Sequence, residues 1–413
     1  MKSILLTSTA LVAFAGAAAA EVTWSADAEF GYNEEVEGGF YFDGGLAVAT
    51  TAGMMMGLEA GIALDVDLGF ADNTDDDGDF GGTFSDISVN ASDFVVFVKN
   101  DVSGLYIGDT NTATQQHWSG VTNMEQDGFL EVGDVDDGAD DNDFVDGVLR
   151  ADLTFGSVST SVSYFLADND FGSDDLEGTD EDLNGLTGLQ LGISADLGQF
   201  SVGLAYQDEV DGDLVNGTDA SDGEDGLTGT DDDIEESPGS VDQLFGIYGS
   251  TTFAGASVKL AYAQNGNTDA SSTGIEVGYT FGPATATVFY SLEDDGSDDN
   301  QAEDNYGIGI AYDGGPLQVS AYYHDGGDQE IGLEGNYDLG NGLVIYAGYV
   351  DSTDDDQENR EELYVAGEYD LGGGASLIAA YGEVGDEYDG DLDAVGNAYE
   401  VNEGATIAIS FSF

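Results

Sequence analysis

Along most of this chain apolar and polar residues alternate one by one. Val22, Trp24, Ala26, Ala28, Phe30 and Tyr32 interleave with Thr23, Ser25, Asp27, Glu29 and Gly31. Leu58, Ala60, Ile62, Leu64, Val66, Leu68 and Phe70 interleave in the same way with Glu59, Gly61, Ala63, Asp65, Asp67 and Gly69. A period of two is that of an extended strand, whose side chains point alternately to its two faces. The pattern returns in Ile275, Val277, Tyr279 and Phe281 against Glu276, Gly278 and Thr280, and in Tyr306, Ile308, Ile310 and Tyr312 against Gly307, Gly309 and Asp313. It recurs at Ile331, Leu333, Tyr337 and Leu339, and in the last segment, where Ala405, Ile407, Ile409, Phe411 and Phe413 share one face. Carboxylates such as Glu59, Asp65, Asp67 and Glu276 cannot sit in lipid or in a dry core without a large desolvation cost, so their face meets water. The opposite face meets something dry.

The connections are of two kinds. Short ones carry turn residues: Phe155-Gly-Ser, Asp196-Leu-Gly-Gln, Phe253-Ala-Gly-Ala, Phe281-Gly-Pro-Ala, Asp313-Gly-Gly-Pro, Asp338-Leu-Gly-Asn-Gly and Asp370-Leu-Gly-Gly-Gly. Glycine supplies positive φ and proline a preset one, so these are hairpin turns. Two more fall near Ala52-Gly-Met and Lys99-Asn-Asp. Long acidic runs alternate with them, among them 73–79, 134–143, 168–182, 208–236, 293–304 and 351–362. Nine turns joining two strands each, with a first and a last strand, give about 20 strands of roughly ten residues. The expected fold is an all-β transmembrane antiparallel barrel with an even strand number between 16 and 20. Segments 38–51 and 86–98 alternate poorly and loosen that tally. A soluble sandwich would also bury one strand face, but uniform strand length and aromatics at strand ends suit a barrel with interfacial girdles.

Composition sharpens the address. Met1-Lys2-Ser3, an apolar run from Ile4 to Ala15 and small residues up to Ala20 form a secretory leader, giving a signal peptide over 1–20 and a single barrel over 21–413. That run is too short to span a membrane as a helix. The sequence holds 85 Asp and Glu against 5 Lys and Arg, a formal net charge of −80, and no cysteine. Nucleic acid is excluded as a partner by repulsion, and disulfides and thiolate metal sites by composition. Such acidity could signal disorder, yet 21 Tyr and 21 Phe are present, so the acid is segregated from the apolar faces.

Leader, alternating strands, glycine turns, acidic loops and a terminal Phe413 together resemble the Gram-negative outer-membrane porins, most closely the alphaproteobacterial general-diffusion type. The most local match is Val102-Ser-Gly-Leu-Tyr-Ile-Gly108-Asp109, which is similar to the strand that leads into the family's inward-folded third loop. The resemblance implies a constriction loop over 110–142, with Glu125, Asp127, Glu131, Asp134, Asp136 and Asp137 as its acids. It also implies Phe411 and Phe413 as the barrel-assembly signal, a barrel-assembly machinery as partner, lipid and lipopolysaccharide as surroundings, a homotrimer, and an outer-membrane location. The family sets loop acids against an arginine cluster, and here the sequence departs from it. Arg150, on one face with Asp152, and Lys259 are the wall bases that can face the lumen. A lumen lined by carboxylates such as Glu59, Asp65, Asp67 and Glu276 favours cations.

Other chemistry is weakly marked. Asn73-Thr-Asp75-Asp-Asp77-Gly78 has calcium-loop character, but Phe84 stands where an EF-hand needs its bidentate glutamate. No cofactor or defined metal site is expected, only weak calcium binding by acidic loops. His117-Trp118-Ser119 pairs a base with a hydroxyl without a third group to orient it, which leaves no catalytic constellation and no enzyme expectation. The expected function is a passive, cation-preferring diffusion channel for small hydrophilic solutes and ions. The alternatives are a substrate-specific channel, for which Tyr322 beside His324 is a hint of a sugar track, and a secreted acidic calcium-binding β-repeat protein.

Overall fold

Among the described residues there are twenty strands, most of them long enough to cross a hydrocarbon layer when tilted. The computed structural model describes residues 21–34, 39–54, 57–70, 87–130, 147–166, 186–209, 242–297, 302–326, 329–353, 360–384 and 403–413. The proposed leader and the acidic runs at 73–79, 134–143 and 168–182 lie outside these residues. The first ten strands are β1 (Glu21–Asn33), β2 (Phe40–Gly53), β3 (Glu59–Phe70), β4 (Ile87–Lys99), β5 (Ser103–Gly108), β6 (Val148–Phe155), β7 (Val158–Phe165), β8 (Thr187–Asp196), β9 (Phe200–Gln207) and β10 (Leu244–Phe253). Ten more follow: β11 (Ala256–Asn265), β12 (Ser271–Phe281), β13 (Ala284–Asp294), β14 (Asn305–Asp313), β15 (Leu317–Asp325), β16 (Gln329–Gly340), β17 (Leu343–Thr353), β18 (Arg360–Gly372), β19 (Ala375–Val384) and β20 (Gly404–Ser412).

Each strand pairs antiparallel with the next, and β20 returns to β1, so the sheet is a closed barrel. Closure satisfies every strand's backbone donors and acceptors inside the ladder, which an open edge in lipid could not do. The seam runs from Asp27 opposite Ser412 to Asn33 opposite Thr406. It is finished by Phe413 N–H to the Ala26 carbonyl at 2.8 Å.

The exposed face of the ring is the apolar one predicted from sequence. In β20, Ile407, Ile409 and Phe411 are exposed while Thr406 and Ala408 are buried. Phe155, Phe200, Phe253, Phe281 and Phe413 stand out near the short turns, and Phe411 and Phe413 stack with ring centroids 6.3 Å apart. Connections after even-numbered strands are the nine predicted short turns and lie on one rim. Those on the other rim are more varied than expected. They are long at 109–147 and 208–243, but only 266–270 separates β11 from β12 and 326–328 separates β15 from β16.

The two poorly alternating segments are strands. In β4 the pairing with β3 jumps from Asp65 opposite Asp93 to Val66 opposite Ala91, leaving Ser92 as an extra residue. One inserted residue reverses which face follows, and that bulge is why residues 86–98 lose their period. In β2, Tyr41 turns inward, over Gly31, and donates to the Glu29 carboxylate at 2.6 Å.

The seam holds a buried side-chain bridge: Asn33 Nδ2 donates to Thr406 Oγ1 at 2.9 Å and to the Glu403 carbonyl at 2.7 Å. Asn33→Ala leaves both acceptors unpaired and should cost about 1–3 kcal/mol. We expect its folded, fast-migrating gel band to disappear at a lower heating temperature than that of the parent. An unchanged transition would remove the bridge from the seam's stability.

Candidate functional site

The face opposite the apolar girdle lines the barrel interior, and two stretches of it differ in character. On β1 to β3 the inward positions include Asp27, Glu29, Asp43, Asp65 and Asp67, with Glu59 near the turns. On β8 to β12 they are mostly small or neutral: Gln190, Ser194, Ala205, Gln207, Leu244, Ala261, Ala263 and Ser272. Each strand site residue predicted from the alternation, Glu59, Asp65, Asp67, Arg150, Asp152, Lys259 and Glu276, takes an inward register position.

Residues 109–130 explain the neutral stretch, because they lie against it. Thr112-Ala-Thr-Gln115 is a capping box: the Thr112 hydroxyl accepts from Gln115 N–H, and the Gln115 side chain accepts from Thr112 N–H at 2.6 Å. This starts α1 (Ala113–His117). The helix docks through wall hydroxyls and amides. Ala113 N–H donates to Ser163 Oγ at 2.8 Å, and the Thr114 hydroxyl donates to Gln190 Oε1. His117 places Nδ1 2.8 Å from Ser194 Oγ and Nε2 2.8 Å from Ser161 Oγ.

Beyond the helix the chain crosses the wall and returns. Trp118 packs on Gly246 and Val121 on Gly274, where any added Cβ would overlap the incoming side chain. Val121 and Met124 bury Ala261 and Ala263, and Phe129 buries Ala205 and Leu244. Gln126 N–H donates to Ser272 Oγ at 2.9 Å, and Leu130 N–H to Gln207 Oε1 at 2.7 Å. Gln190 and Gln207 are fully buried, yet each is bonded to the segment that covers it.

The predicted acids of this segment divide. Glu125 and Asp127 form a short 3-10 turn, Glu125–Asp127. Burial, and then the neighbouring Glu293 carboxylate, raise Glu125 above its ordinary value. Glu131, Asp134, Asp136 and Asp137, with the rest of the expected loop to 142, lie outside the described residues. Arg150 is 5% exposed, with its guanidinium over the Tyr106 ring at 4.5 Å and its Nε 3.0 Å from Asp152 Oδ1. It also donates to Thr110 Oγ1 at 3.0 Å and to the Asn111 carbonyl. Lys259 Nζ donates to the Gly120 carbonyl at 3.0 Å, and Glu276 accepts from the Thr122 hydroxyl at 2.8 Å. Lys99 lies 3.6 Å from Glu59. The arginine cluster of the resembled family has no counterpart among the described side chains.

Sequence reasoning missed the docking face. Its signals were the capping box and the run of inward positions on β8 to β11 without carboxylates above Asp196. His117 joins Ser161 and Ser194 rather than Ser119. Asp152 accepts from Ser161, at 2.7 Å, rather than from the imidazole. No Asp–His–Ser relay is formed by these residues. On β15 Tyr322 and His324 stack at 5.6 Å, and Tyr322 donates to Glu330.

Burial lowers the His117 pKa, partly offset by Asp152 and reinforced by Arg150. The docked segment therefore binds fewer protons than the undocked one. Docking is fully present above about pH 6.5, the ordinary imidazole value, and weakens as pH falls below it. In a Trp24→Phe background, where Trp118 is the sole indole, its emission should shift red as pH drops from about 7.5 to about 5. His117→Gln should show no such titration; an identical titration in that variant would assign the effect elsewhere.

Comparison with known proteins identifies the family. A family model described as Gram-negative porin matches residues 7–229 and 217–391. No curated protein matches the chain in sequence. Among solved structures, a fivefold-substituted variant of the Rhodopseudomonas blastica porin is 12% identical, with a TM-score of 0.38 over 95% of this chain and 100% of that one. A triple variant of the same porin is likewise 12% identical, with a TM-score of 0.35 and the same coverage. With the family model spanning nearly the whole barrel, the chain belongs to the Gram-negative porins, channels of the outer membrane.

Proposed function

We propose that this porin is a passive diffusion channel for small hydrophilic solutes and ions that prefers cations. One observation carries the reading. Among the described inward side chains, acids such as Asp27, Glu29, Asp43 and Asp67 outnumber the bases, and Lys99, Arg150 and Lys259 each face a partner. Uncompensated carboxylates around a narrow aqueous path concentrate cations and repel anions. No catalytic step is part of this reading.

A second reading, a channel specific for sugars, is favoured by the stacked Tyr322 and His324 beside Glu330. Stacked rings flanked by a carboxylate suit the faces and hydroxyls of a pyranose. Such a channel would be blocked by its own solute at low concentration, whereas a general one would not.

Proteoliposomes loaded with the purified chain test the proposal through three solutes of equal size. Cationic solute should enter fastest, neutral solute next and anionic solute slowest, with the spread shrinking at high salt. Equal rates for the three would contradict it.

A further inference from the structure

In a wall of carboxylates, an arginine and a lysine invite reading as selectivity charges. Their surroundings say otherwise. Arg150 is buried at the root of the segment, where it donates to Thr110 Oγ1 and the Asn111 carbonyl and lies over Tyr106. Lys259 sits where the segment turns, and its ammonium donates to the Gly120 carbonyl at 3.0 Å. Opposite it in the ladder, Glu276 accepts from the Thr122 hydroxyl at 2.8 Å. The two contacts grip carbonyl and hydroxyl two residues apart, on either side of Val121, whose side chain fills the space over Gly274. Each base thus donates to oxygens of the segment itself, Arg150 through a terminal guanidinium nitrogen and Lys259 through its ammonium.

We infer that Arg150 and Lys259 are positioning residues that clamp residues 110–122 to the wall at the segment's two ends, with Glu276 completing the second clamp. Between them α1 is held by hydroxyls and amides alone. Loss of one clamp loosens the chain there while the other clamp and the wall bonds of Gln126 and Leu130 hold, so the segment fluctuates rather than leaving the wall. The inference goes beyond the proposed cation preference and does not depend on its sign.

Two variants that differ in charge separate clamping from selectivity. Thr122→Val removes a clamp contact without altering charge, and Lys259→Met removes both contact and charge. Each should raise the undocked fraction about tenfold, as expected for losing one charge-assisted hydrogen bond. In planar bilayers both should show increased open-channel current fluctuation, and the charge-neutral Thr122→Val should leave the zero-current potential unchanged from the parent. Lys259→Arg should restore the steady current. In the Trp24→Phe background, both should also shift Trp118 emission to the red, a readout that does not require conduction. At the root, Thr110→Val should act like Thr122→Val, which avoids relying on an Arg150 variant that fails to fold. A steady current with a potential moved towards the cation limit in Lys259→Met, and a silent Thr122→Val, would overturn the inference. A parent that conducts without cation preference would count against the proposed selectivity alone.

Discussion

Everything in this protein depends on the return of β20 to β1. In hydrocarbon no water is available for an unpaired N–H or carbonyl, so a strand array with two edges has no stable place there. Closing the ring removes both edges at once and obliges each strand to present one face to lipid and one to the interior. The alternation of Val22 to Tyr32 or Ala405 to Phe413 is the sequence's answer to that obligation. So is the buried Asn33–Thr406 bridge at the seam.

Closure also creates an interior that the rest of the sequence must furnish. One stretch of it, on β1 to β3, is left polar and acidic. Another is made neutral, small and partly apolar, because a second piece of chain is laid over it. Leu244, Ala261 and Ala263 would be out of place facing water, and they become a floor for Val121, Met124 and Phe129. The clamps, the histidine wedge and the close approach at Gly246 are means of fixing that covering segment.

The barrel was legible in the sequence because its constraint is periodic: a residue facing lipid recurs every second position, and turns need glycine. Where that period failed, the cause was local. Ser92 is an extra residue in β4, and Tyr41 points inward because Gly31 makes room for its ring. The covering segment was less legible, since its partners are scattered from Ser161 to Ser272 and no local spacing joins them. The capping box at Thr112 and Gln115 was readable, and so was the lack of carboxylates on the inward positions of β9 and β10. Arg150 and Lys259 take inward register positions. That their donors would meet Asn111 and Gly120 follows only from tertiary packing.

The claim most exposed to test is that an unbalanced acidic wall governs permeation. The zero-current potential of the purified chain in a planar bilayer, under a gradient of a salt with equally mobile ions, measures it directly. The account predicts a stable conductance with a potential close to the cation limit, declining as total salt rises. A potential near zero at low salt would contradict it, placing the effective charge of the protein outside the path that ions take.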